Sequence, residues 1–158
     1  MRKLFVTLLM ALACSVFLSS CGKESSEQPL VVYSFCGENE MFSISNGVIV
    51  LSPTKEILYG GNLKGQLSDI VGYTMTFYIP SGNDERILLS NSVTDKTGET
   101  IDISGEIGKV SGDIITATEI DELQNNLFFE LETTTLNGEE NTYQMQLVLT
   151  EVTGTTDD

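Results

Sequence analysis

The sequence predicts an all-β domain of antiparallel strands behind an export leader. From residue 30 onward apolar residues recur with a period of two, the spacing of a strand with one face on a core. Gly, Asn, Pro and Ser clusters such as SPTKE, YGGN, PSGNDE and DKTGE break the pattern at short intervals. Between the breaks, β-branched and aromatic residues dominate.

Taken in order, Arg2 and Lys3 precede an apolar run from Leu4 to Leu18, the charged and apolar regions of an export signal. The run falls short of the about 20 residues needed to cross a bilayer. Strands are expected at roughly 30–36, 41–45, 47–52, 56–59, 71–79, 86–93, 99–104, 113–118, 126–134 and 142–152. In VGYTMTFYI, Val71, Tyr73, Met75, Phe77 and Ile79 share one face and Gly72, Thr74, Thr76 and Tyr78 the other. Ser45-Asn46-Gly47 reads as a hairpin signal between two of these strands. Thr118 is placed to cap a short helix that ends near Gln124.

The last hairpin can be registered from the sequence. A two-residue turn on Asn137-Gly138 would set Phe129 opposite Gln146, core against solvent. A three-residue loop with Gly138 in the left-handed conformation instead pairs Leu127 with Leu147, Phe129 with Met145 and Leu131 with Tyr143. Glu130 then faces Gln144 and Glu132 faces Thr142, which is the consistent register.

Leu18-Ser19-Ser20-Cys21, after a charged start and an apolar run, resembles the lipobox of bacterial lipoproteins. That resemblance implies cleavage before Cys21 and lipidation of its thiol. Two or more acyl chains hold a protein to a bilayer almost permanently. Gly22 after the cysteine implies, by the same resemblance, the outer membrane, with the body periplasmic or surface-exposed. The whole is similar in style to small acidic β-rich lipoproteins of Bacteroidales. The expected organisation is therefore a signal peptide over 1–20, lipidated Cys21 and a polar tether over 21–29, one all-β domain over 30–153, and an acidic disordered tail over 154–158.

About ten antiparallel strands with short connections read as a meander, and strands of nine or more residues favour a lipocalin-like β-barrel. The lipocalin pattern has a Trp near its first strand, and this chain has none. An immunoglobulin-like β-sandwich is the alternative.

Without its leader the chain keeps six basic side chains, all but Arg2 and Lys3, against 23 acidic ones, net −17. Nucleic acid is excluded as a partner, since phosphate binding needs Lys and Arg. Adsorption to anionic lipid head groups is disfavoured too, which leaves the acyl chains as the anchor. Of three cysteines, Cys14 lies in the leader and Cys21 carries lipid, so Cys36 has no disulfide partner and is expected to be a buried thiol.

The chain has no histidine, which removes serine and cysteine triads and His-ligated zinc. No catalytic residue is assigned. Carboxylates could serve a glycosidase only as a pair about 5–10 Å apart across a cleft. For calcium, Asp95, Glu99 and Asp102 around Gly98 are weak candidates, without EF-hand spacing. Glu119, Asp121 and Glu122 form a second acidic cluster, read as a solvated face, and Arg86 is a candidate partner for a carboxylate. Gly60-Gly61 and Gly105-x-x-Gly108 are read as turns between strands, since no helix follows them to hold a phosphate.

The functional expectation is a membrane-anchored, non-catalytic binding module for a small apolar ligand, a glycan or a protein of the cell envelope. The alternatives are a structural or assembly partner of an outer-membrane complex and, weakest, a carboxylate hydrolase. An unfilled apolar interior would speak for the first and a packed interior with an apolar outer patch for the second.

Overall fold

The computed structural model describes residues 30–115 and 120–153. The signal peptide, Cys21 and its tether, Thr118, Glu119 and the tail at 154–158 lie outside the described residues. So does the second half of the strand expected at 113–118.

The domain is all-β and antiparallel. Its strands are β1 (Val31–Glu38), β2 (Phe42–Ser52), β3 (Lys55–Tyr59), β4 (Asn62–Gly65), β5 (Ile70–Ser81), β6 (Asp84–Thr94), β7 (Gly105–Glu106), β8 (Lys109–Gly112), β9 (Phe128–Thr135), β10 (Glu140–Gln146) and β11 (Val148–Glu151). A short helix α1 (Ile120–Asn126) precedes β9. The ladders form a seven-stranded sheet, ordered β11-β1-β2-β3-β8 with β4 attached to β2 and β7 to β4, and a four-stranded sheet ordered β10-β9-β5-β6.

No ladder joins the two sheets into a closed ring among the described residues, and the two-sheet alternative fits this arrangement. At one side the chain itself passes from sheet to sheet. β10 and β11 are one strand interrupted at Leu147, whose N–H donates to Leu127 O at 2.8 Å. At the other side side chains bridge the sheets. Asn91 Nδ2 of β6 donates to Ile107 O at 3.4 Å, and the Arg86 guanidinium donates to Ile114 O at 2.6 Å. Glu56 of β3 accepts the N–H of the next residue, Ile115.

The Asn46-Gly47 signal is not a hairpin. β2 runs through it as one strand, with Asn46 at φ 58°. Between the pairs Phe35↔Gly47 and Gly37↔Ile44, β2 holds one residue more than β1, a bulge that bends the strand. The bend lets the first half of β2 pair with β4 and the second half with β3. Opposite it lie Gly60 and Gly61, the latter at φ 78°, joining β3 to β4. Gly60 N donates to Gly108 O at 2.9 Å and Ile107 N to Gly61 O at 3.0 Å, so both glycine pairs serve as strand connections, as expected.

The remaining differences are local. The segment expected as a strand at 99–104 is irregular, and the pairing it would have made falls to β7 and β8. β4 was hidden in NLKG, which has a single apolar residue to show alternation. Cys36 is exposed, not buried. Alternation sends Tyr33 and Phe35 into the core, so the next residue points out.

The last hairpin has the expected register: Phe129↔Met145, Leu131↔Tyr143, Glu130↔Gln144 and Glu132↔Thr142, with Gly138 at φ 79°. Thr135 N donates to Glu139 O and Gly138 N to Thr135 O, both at 2.9 Å, closing a loop over 136–138.

Aromatic rings fill the space between the sheets. Phe35, Phe77, Phe129, Phe42 and Tyr143 meet edge to face in sequence, with centroids 5.7, 5.1, 5.6 and 6.3 Å apart. A Cβ on Gly47 would fall 2.1 Å from the Phe35 ring, whereas one on Gly72 would meet nothing closer than 3.5 Å. Gly47→Ala is therefore expected to cost roughly 1–3 kcal/mol by overpacking. Gly72→Ala should stay within about 0.5 kcal/mol of the parent. Urea denaturation of the two variants checks the contrast, and equal midpoints would contradict it.

Candidate functional site

Because strand residues alternate, the same pattern that sends Met75, Phe77, Phe129 and Leu131 inward lays a polar lattice on the outer face of the four-stranded sheet. Its rows read Glu140, Thr134, Gly72, Thr94; then Thr142, Glu132, Thr74, Ser92; then Gln144, Glu130, Thr76, Ser90. Cross-strand hydrogen bonds hold the rows. The Thr74 and Ser92 hydroxyls lie 2.9 Å apart, those of Thr76 and Ser90 3.2 Å, and Gln144 Nε2 donates to Glu130 Oε2 at 2.6 Å. At the far end Tyr78 stacks on Phe128, centroids 5.6 Å apart. Burial, then the charges of Glu85 and Glu130, raise the Tyr78 phenol above its ordinary value.

Gly72 leaves a gap in the first row. Over it opens a cleft of about 290 Å³ whose lining includes Gly72, Thr74, Thr94, Glu132, Thr134 and Thr142. Hydroxyls and carboxylates, rather than aromatic faces, dominate this lining. Glu132 and Glu140 are diagonal neighbours across β9 and β10, about 7–8 Å apart on the sheet lattice. Both are exposed. The arrangement can offer hydrogen bonds to a partner.

Thr133 also lines the cleft, from the core side of β9. It is 3% exposed, and its hydroxyl has no hydrogen-bond partner among the described residues. A buried hydroxyl without a partner costs about 1–3 kcal/mol. Thr133→Val keeps the shape and removes the orphaned group, so its thermal midpoint should equal or exceed that of the parent. A lower midpoint would mean that the hydroxyl is satisfied.

The sequence-derived candidates fall elsewhere. Asp95 turns back onto its own loop: Oδ2 accepts Thr97 N at 3.0 Å and Glu99 N at 2.7 Å, and the Thr97 hydroxyl donates at 2.9 Å. Asp102 Oδ1 accepts Ser104 N at 2.8 Å. Asp95, Glu99 and Asp102 are not brought together, and the described residues contain no group of three acids or cysteines placed to hold a metal. Arg86 spends a guanidinium N–H on the Ile114 carbonyl, which makes it a brace between sheets. The side chains of Glu119, Asp121 and Glu122 lie outside the described residues.

The Thr97 hydroxyl above all, with the loop amides, holds the Asp95 carboxyl below its ordinary value of 3.8, and the Ser104 amide does the same for Asp102. A depressed folded value means that these bonds add stability above pH 3.8 and lose it as pH falls through the lower folded value. The amide shifts of Thr97 and Glu99 should therefore titrate with a midpoint below 3.8, and a midpoint at or above it would contradict the geometry.

Sequence reasoning missed the cleft. Its one readable signal was Gly72 on the polar side of an otherwise continuous strand, the usual mark of a missing side chain on a packed surface. No protein-family model, curated protein or solved structure matches the chain.

Proposed function

We propose that the protein is a lipid-anchored, non-catalytic binding module of the bacterial envelope that engages a hydroxyl-rich partner, a glycan, on the outer face of its four-stranded sheet. The supporting observation is the contrast between inside and outside. Interlocked aromatic rings occupy the interior, which argues against a small apolar ligand between the sheets. The cleft over Gly72 offers a lattice of hydroxyl, amide and carboxylate groups at fixed spacing. Sugars are recognised by such convergent donors and acceptors, which orient the ligand while sparing its solubility.

Lipidation at Cys21 and an outer-membrane location form part of the same reading, supported by the lipobox-like Leu18-Ser19-Ser20-Cys21. The assembly-partner alternative draws on the packed interior together with the exposed apolar residues Leu30, Val148 and Val152 on the face built by β1 and β11. Cross-linking of a single envelope protein through that face would favour it.

Two experiments test the proposal. Binding to an array of soluble oligosaccharides should fall at least about tenfold, or 1.4 kcal/mol, in Gly72→Thr, which fills the cleft from the strand itself. If the parent protein retains no oligosaccharide, or Gly72→Thr binds equally, the glycan reading fails. Separately, Cys21→Ser should move the protein from the membrane to the soluble fraction, and retention in membranes would defeat the anchor.

A further inference from the structure

The outer face of the seven-stranded sheet carries apolar side chains in adjacent rows. One row reads Val152, Val32, Val50, Ile57, Ser111, and the next Thr150, Ser34, Val48, Tyr59, Lys109. Leu30 leads into this face and is 55% exposed, as is Val152. Val148, opposite exposed Cys36, is 65% exposed. These side chains form a contiguous apolar surface of the kind that marks an interaction site.

Charge distinguishes the two faces. The two rows contain no carboxylate. Their charges are Lys109, whose ammonium lies 5.7 Å over the Tyr59 ring, and Lys55 in the adjoining Ser52↔Lys55 pair. The opposite face carries Glu85, Glu130, Glu132 and Glu140 and no basic side chain in its rows. An anionic surface repels the second face and accepts the first. A second copy docked face to face about a twofold axis would bring the lysines of the two rows together, with Glu106, in the groove beside Val48 and Tyr59, as an acid at their margin.

Chain length completes the argument. Eight residues, 22–29, lie between Cys21 and Leu30, a reach of at most about 30 Å. The chain enters β1 at the very end of the sheet where Val32, Val50 and Val152 cluster.

We propose that this face beds on the bilayer beside its own anchor, the apolar rows at the boundary of head groups and acyl chains, with Lys55 and Lys109 toward anionic head groups. The inference rests on the lipid-anchor reading. Net charge weakens the contact, and the anchor offsets this by making it intramolecular at high effective concentration. The face then sets orientation rather than affinity, and the cleft over Gly72 points away from the membrane.

The test uses the acylated full-length protein with Cys36→Ser, labelled with a fluorophore at Val50→Cys or, on the other face, at Thr74→Cys. Each is reconstituted in vesicles of phosphatidylethanolamine and phosphatidylglycerol containing brominated lipid. The expected result is a large loss of fluorescence at position 50 and little at 74, with the difference abolished by adding Ile57→Glu. Equal quenching at both positions in vesicle-bound protein overturns the docking while leaving the anchor intact. Protection of position 50 that persists in detergent and grows with protein concentration overturns it in favour of a second copy. Failure of the protein to stay on vesicles at all defeats the anchor, and the docking with it.

Discussion

The architecture depends on a close approach between Phe35 and the backbone of β2 at Gly47, where no side chain could stand. The bulge at Asn46 brings this about, since the extra residue turns the strand and leaves the glycine facing the ring. Two consequences follow from one contact. Phe35 can reach Phe77 and begin the edge-to-face series that runs through Phe129 and Phe42. And β2, once bent, can serve as partner to both β3 and β4, so a single strand builds two parts of the larger sheet. Removing the bulge would flatten β2 and misalign every inward side chain beyond it, because strand side chains alternate with period two.

That core decides where function can reside. Aromatic rings that interlock across the sheets fill the interior, and under the proposed binding role a partner would meet the outer faces. There the backbone is already fixed by ladders, and side chains stand at the regular spacing of the lattice. On the four-stranded sheet this produces hydroxyl and carboxylate rows with a gap at Gly72, a rigid polar surface with one recess. Rigidity matters because ordering costs are lower when hydrogen-bonding groups are positioned before the partner arrives.

How much of this the sequence revealed depended on whether a signal was local. The register of β9 and β10 was legible because only one loop length pairs Phe129 with Met145 and leaves Glu130 with Gln144. The alternation of β5 was equally plain and holds from Tyr73 to Ile79, while at the start of the strand the core takes Ile70 rather than the expected Val71, across the irregularity between Ile70 and Gly72. Asn46-Gly47 misled because the same dipeptide suits a hairpin turn and a bulge, and the choice lay with distant partners, β4 and Gly61. β4, β7 and β8 are short strands whose pairing is set by neighbours remote in sequence, so no local period announces them. Asp95, Glu99 and Asp102 were weak calcium candidates without EF-hand spacing, and the structure shows the loop amides of Thr97 and Glu99 donating to the Asp95 carboxylate, as in a turn. The cleft escaped notice because it is made by an absence, one missing side chain among four strands.

Net charge is the clearest case of a property that composition reports and structure redistributes. An average of −17 over the exported chain suggests a body uniformly hostile to anionic surfaces. Strand pairing breaks that uniformity, since the straight half of the larger sheet gathers valines and two lysines on its outer side while the smaller sheet collects glutamates. Opposite faces of a sandwich look in opposite directions, with stacked sheets about 10 Å apart between them. Under the proposed anchor, a tether that enters on the apolar side would dispose the acidic, hydroxyl-lined side outward, so that one hydrophobic alternation would serve both the membrane and a partner.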